Sequence, residues 1–210
     1  MNTPITSIQG FADYMQISRL SEEERAECLS FITRESRRLK EISTTLLAMV
    51  NLENKEELLR EEFSIRDLCK RLEELYRKVM DEEEIKLFIE CSVEIMKGNH
   101  ILMESFLRNM ITNGVRALDN RVNKEIKISI YQDGNKIKLQ VEDNGCGMEE
   151  KHLENIFEPF YRVDKARSRE YGGSGLGLPF CKKIVEMHSG NLQVESKVNE
   201  GTKFIATFTV

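Results

Sequence analysis

Several things are scarce in this chain of 210 residues. No apolar run approaches the ~18 residues of a membrane-crossing helix. No charged-then-apolar leader precedes a small-residue cleavage site. The expectation is a cytoplasmic piece, touching a membrane only through segments upstream of it. Proline is rare, at 3, and low-complexity tracts are missing, which argues against long disordered stretches. The 5 cysteines form no CxxC pair. Reduced, mostly buried thiols are expected rather than a zinc site or a disulfide framework. Basic excess is absent too. The net charge is −5, so nucleic acid is not an expected partner.

What is present begins with two helical patterns. Ile5, Ile8, Phe11, Ala12 and Met15 fall at near-helical spacing between Pro4 and Ile17. Proline is tolerated in a first helical turn, where its missing N–H would be unpaired anyway. A turn over 18–21 follows. Ser21 with Glu24 makes a capping box ahead of a long helix. Along it Cys28, Ile32, Glu35, Leu39, Ile42, Leu46 and Met49 step by 4, 3, 4, 3, 4, 3, a heptad seam with one polar position. Such a hairpin cannot cover its seam alone. A second copy forming a dimeric four-helix bundle would cover it, and so would the chain's own second half.

A charged stretch over 51–62 reads as helix end and linker. Beyond it come a strand near Phe63, a helix capped by Ser64, a strand over Ile85–Cys91 and a helix over His100–Leu118. Lys124–Tyr131 and Lys136–Val141 alternate cleanly about the turn Asp133-Gly134-Asn135. A glycine-rich stretch, a helix to about His188 and two last strands complete the pattern. Helices on one face of a largely antiparallel sheet give an α+β, two-layer domain. The expected division is 1–56 for the hairpin and 57–210 for the second domain.

Three motifs stand in that second domain. Asn109, Asn113 and Arg116 lie at i, i+4 and i+7 and share one helix face. Amide oxygens suit Mg²⁺, which keeps water and phosphate among its ligands. By itself the trio is weak evidence, since two Asn and an Arg on a helix are usually a solvated face. Asp143-Asn144-Gly145-Cys146-Gly147 follows a strand directly. It permits a sharp turn and close backbone approach, and its aspartate could accept from an exocyclic amine. Gly172-Gly173-Ser174-Gly175-Leu176-Gly177 runs into a helix, so backbone N–H groups there could meet phosphate. It lacks the Gly-Lys-Ser/Thr of a Walker A loop and the βαβ setting of a dinucleotide fingerprint.

In this order the three resemble the N, G1 and G2 boxes of sensor histidine kinases, whose ATPase fold is shared with gyrase, heat-shock-90 chaperones and mismatch-repair proteins. Phe157-Glu158-Pro159-Phe160-Tyr161-Arg162-Val163-Asp164 resembles the F box, found in the kinase branch alone. Thr3-Pro4 and the helix after it resemble the stretch following the phospho-accepting histidine, in the pattern His-Glu-x-x-Thr-Pro.

The resemblance implies a kinase core that binds Mg–ATP and transfers the γ-phosphoryl group to histidine, for relay to a response-regulator aspartate. It gives Asn113 to Mg²⁺, and Asn109 and Arg116 to metal and phosphates. Asp143 would read the adenine amine. Gly145, Gly147, Tyr161, Gly173, Ser174, Gly175, Leu176 and Gly177 would surround the nucleotide. Arg162 would steady the γ-phosphate, under a lid running from about Phe157 to Gly173. Thr3 would serve the regulator-phosphatase step. The chain departs from the pattern in two respects, a small one at Asn99, where the family often has aspartate, and a serious one at the acceptor. Its 3 histidines, His100, His152 and His188, all lie outside that context. The acceptor is therefore expected before residue 1, in a longer kinase that upstream segments could anchor in a membrane, unless this is a natural short product. The other readings are an ATP-binding regulatory or scaffold module without autokinase activity, and a gyrase-type hydrolase, which the F box disfavours.

Overall fold

The computed structural model describes residues 2–52, 61–119, 121–163 and 174–209. Helices α1 (Asn2–Ile17) and α2 (Glu22–Leu52) form the hairpin. The capping box is in place. Glu24 N–H donates to Ser21 Oγ at 3.2 Å, and Ser21 N–H donates to the Glu24 carboxylate at 2.8 Å. The Ser21 N–H and the Ser21 hydroxyl, at 2.9 Å, both donate to the Glu24 carboxylate and hold it below its ordinary range. Phe11 of α1 meets Phe31 of α2 with ring centroids 4.2 Å apart.

Cys28, Glu35 and Ile42, seven residues apart, are buried. The polar seam position is therefore a buried carboxylate, and Arg38 Nη1 lies 3.4 Å from it. Further along, Ala48 and Met49 pack against the core of the second half. Part of the seam is thus covered within the single chain. Leu29, Leu47 and Val50 stay at least half exposed.

The second half contains β1 (Glu62–Ser64), α3 (Ile65–Glu82), β2 (Lys86–Cys91), β3 (Ile95–Lys97) and α4 (His100–Ala117). After these come β4 (Glu125–Asp133), β5 (Lys136–Asp143), α5 (Glu150–Leu153), α6 (Gly177–Met187), β6 (Asn191–Lys197) and β7 (Gly201–Thr209). The main sheet has the order β2-β4-β5-β7-β6, and β1 pairs with β3 apart from it. Among the described strands only β2 and β4 run parallel, with α4 in the connection between them.

Period-two burial explains the layering. Ile126, Ile128 and Ile130 of β4, Ile137, Leu139 and Val141 of β5, and Phe204, Ala206 and Phe208 of β7 face inward. Leu68 and Leu72 of α3, Phe106, Leu107 and Met110 of α4, and Ile184 and Val185 of α6 close the core over them. The alternate positions, such as Lys127, Lys138, Glu142 and Lys203, carry the polar face. The fold is a helical hairpin followed by a two-layer α/β sandwich.

Caps fix where the helices begin. Ser64 Oγ accepts from Asp67 N–H at 3.1 Å at the start of α3. Asn99 Oδ1 accepts from Ile101 and Leu102 N–H at 3.0 and 3.1 Å at the start of α4. Asn99 N–H donates in turn to His188 Nε2 at 3.0 Å. His188 Nδ1 lies 2.8 Å from the Ile184 carbonyl, so the ring carries its proton on Nδ1 and is neutral. Burial lowers its pKa, which agrees. No described helix is long and apolar enough to cross a membrane.

Candidate active site

Helix α4 supplies one wall of a cleft of about 690 Å³. Asn109, Asn113 and Arg116 all line it, as their spacing requires. Asn109 is steadied by an Nδ2 bond to the Ser105 carbonyl at 2.9 Å. Tyr76 of α3 also lines the cleft and backs the same helix, its hydroxyl 3.3 Å from Thr112 Oγ1.

Asp143, the last residue of β5, lies opposite. Its side chain is buried, and Oδ1 accepts from Gly145 N–H at 2.9 Å. Burial raises its pKa to about 6, while bonds from the Gly145 and Thr202 backbones pull the other way. A buried, hydrogen-bonded carboxylate at the end of a strand is a strong acceptor for a ligand amine.

The turn after Asp143 is clamped by residues the sequence motifs do not flag. Arg121 Nη2 donates to the Gly145 carbonyl at 2.6 Å and to the Asn199 carbonyl at 2.5 Å. Met148 N–H donates to Ser196 Oγ at 2.9 Å. Gly147 has φ +62°, and a Cβ there would overlap the Lys197 carbonyl oxygen. Glycine is needed here because the β6–β7 turn presses against the backbone. These partners are distant in sequence, so no local pattern announces them.

Tyr161, Arg162, Ser174, Gly175, Gly177 and Gly147 complete the predicted residues on the cleft wall. Phe160 N–H donates to the Gly175 carbonyl at 2.9 Å, so the F-box and G2 segments meet directly. Gly145 is packed against the Ala117 backbone, and Leu176 is fully buried beneath the cleft residues. Gly173 and most of the lid segment lie outside the described residues. Thr3 falls in α1, far along the chain from these walls. His152, which none of the sequence motifs flags, lines the cleft, with Nδ1 2.7 Å from the Tyr161 hydroxyl. Two residues of the hairpin, Glu41 and Thr45 of α2, line it as well.

The donor set suits a magnesium nucleotide. The Asn113 Nδ2 atom is buried with no partner among the described residues, so this amide is held ready for something else. Either end of an amide can face a ligand after a half-turn. No group of three or more His, Cys, Asp or Glu among the described residues could hold a metal. A cation here would rest on an amide oxygen and ligand oxygens, which is how Mg²⁺ is held beside phosphates. Met148, Ile156, Leu178 and Phe204 add apolar surface for a flat base.

A two-layer sandwich with such a cleft has the layout of a nucleotide-binding domain. Residues 98–210 match the family model of the histidine kinase-, DNA gyrase B- and HSP90-like ATPases, and the chain belongs to that family. It is 29% identical over its whole length to the autoinducer 2 sensor kinase/phosphatase LuxQ of Vibrio parahaemolyticus, of which it covers 25%. It is 30% identical over 98% of its length to the sensor protein SrrB of Staphylococcus aureus, of which it covers 35%. The chain therefore spans about a quarter to a third of these relatives. Among solved structures, histidine kinase ThkA in complex with the response regulator TrrA superposes with TM-score 0.77 at 22% identity, over 99% of this chain and 58% of that one. Acinetobacter baumannii histidine kinase AdeS superposes with TM-score 0.75 at 19% identity, over 99% of this chain and 95% of that one. The chain thus carries an ATPase domain of this family with a helical hairpin before it, an arrangement similar to that in the sensor kinases.

Proposed function

We propose that the chain binds Mg–ATP in this cleft and transfers the γ-phosphoryl group to a histidine lying outside residues 1–210, for relay to a response regulator. One observation carries the reading. The unpartnered Asn113 amide and the buried Asp143 carboxylate both face one cleft, at the spacing that the N and G1 boxes prescribe.

Asp143 would accept from the adenine amine, and Asn109 and Arg116 would hold the phosphate end. Mg²⁺, when bound through Asn113, would neutralise charge on the phosphate oxygens. Arg162 would stabilise charge that develops on the transferred group. Positioning and charge stabilisation provide most of the catalysis in phosphoryl transfer. Gly147, Ser174, Gly175 and Gly177 would bring backbone close to the nucleotide. Thr3 would act in dephosphorylating the regulator. The hairpin would pair with a second copy, and the response regulator would dock on that bundle.

A second reading has its own support. Glu41 and Thr45 of α2 line the same cleft, so nucleotide could set the posture of the hairpin in a scaffold without autokinase activity. Calorimetric titration with Mg–ATP tests the common part of both. Binding should require Mg²⁺ and weaken at least tenfold in Asn113→Ala and Asp143→Ala. Binding indifferent to both substitutions would overturn the site.

A further inference from the structure

Phe160 has φ +66°, a left-handed backbone that is strained for an aromatic residue. Such a conformation persists only where its surroundings hold it. Backbone clamps are visible on both sides. Phe160 N–H donates to the Gly175 carbonyl at 2.9 Å, and Tyr161 N–H to the Glu158 carbonyl at 3.1 Å. Gly175, at φ +71°, leaves room for this crossing, since a Cβ would lie 2.9 Å from Phe160 Cα.

One clamp is made by a side chain from another element. His152 Nδ1 of α5 lies 2.7 Å from the Tyr161 hydroxyl, with ring centroids 6.1 Å apart. Helix α5 is itself fixed below, because the His152 carbonyl accepts from Asn155 and Ile156 N–H and Ile156 is buried. Tyr161 is half-buried on the cleft wall, and its neighbour is Arg162.

We propose that His152 is a positioning residue for the nucleotide site. It holds the Tyr161 ring, and through the adjoining backbone Arg162, in a binding-ready place against the strain at Phe160. This rests on the nucleotide reading above. The work is done by one hydrogen bond, so the expected effect is about two- to tenfold. Asparagine can place a polar atom where His152 has Nδ1; leucine cannot.

The test is Mg–ATP titration of the 210-residue chain and four variants. His152→Leu should weaken binding about two- to tenfold, and Tyr161→Phe should do the same. The double variant should lose no more than the weaker-binding single variant. His152→Asn should recover most of the loss. In the free protein, the His152 imidazole nitrogen resonances should shift in Tyr161→Phe, which reports the bond without nucleotide. Additive losses, an unchanged His152→Leu or a failed asparagine rescue would overturn the positioning role alone. A wild-type chain that binds no Mg–ATP would overturn the nucleotide reading and this role together, even with the imidazole shift intact.

Discussion

Asp143 carries opposing demands. Its pKa, raised by burial to about 6 from an ordinary 3.8, means the native chain binds more protons than the unfolded chain between those values. Stability from this group is therefore greatest below pH ~4, falls as pH rises to about 6, and is flat above. At pH 7 the ionised form costs on the order of 3 kcal/mol. Asp143→Asn keeps an acceptor for Gly145 N–H and removes the charge. Denaturant melts should show it more stable than the parent at pH 7 and close to it near pH 4. Nucleotide affinity should move the other way, falling about tenfold, because a charge-assisted acceptor becomes neutral. A variant that is less stable at pH 7 would show that the carboxylate is not desolvated. Gly147→Ala has no such trade. At φ +62°, and with the Lys197 carbonyl in the way, it should cost more than about 1 kcal/mol in the same melts.

At the scale of elements, much was legible. The heptad and the Ser21–Glu24 box define α2, and both box bonds are made. Ser21→Ala should lower hairpin stability by about 1 kcal/mol, read from helix content on heating. Clean alternation located β4 and β5, because one sheet face is core and the other polar. Two short elements were not legible. Strand β3 has 3 residues and gains its order from pairing with β1, far away in sequence. Helix α5 has 4 residues and no side-chain cap bond. The parallel β2–β4 ladder was hidden likewise, since alternation reports burial but not strand direction. In the site, the boxed residues were readable because each box is contiguous. Arg121, Ser196 and His152 were not, because their partners lie 24, 48 and 9 residues away.

The whole molecule is two parts that touch. Ala48 and Met49 tie α2 to the sandwich core, while Glu41 and Thr45 reach the cleft. A stripe of α2 stays bare nonetheless. Leu29 and Leu47 are 50% and 61% exposed and 18 residues apart, five helical turns, so they share one direction. A second hairpin laid on that stripe would bury it. Sedimentation should find a dimer, and Leu29→Glu with Leu47→Glu should convert it to monomer while leaving the melt of the sandwich in place. A chain monomeric at all concentrations would remove the bundle. The central claim, phosphoryl transfer from this cleft, is met most directly with γ-labelled ATP and Mg²⁺. The chain as it stands should be compared with one extended upstream by a His-Glu pair and one helical turn. Acid-labile label on the extended chain alone, abolished by Asn113→Ala, is the predicted result. Nucleotide bound by both chains with label on neither would contradict it.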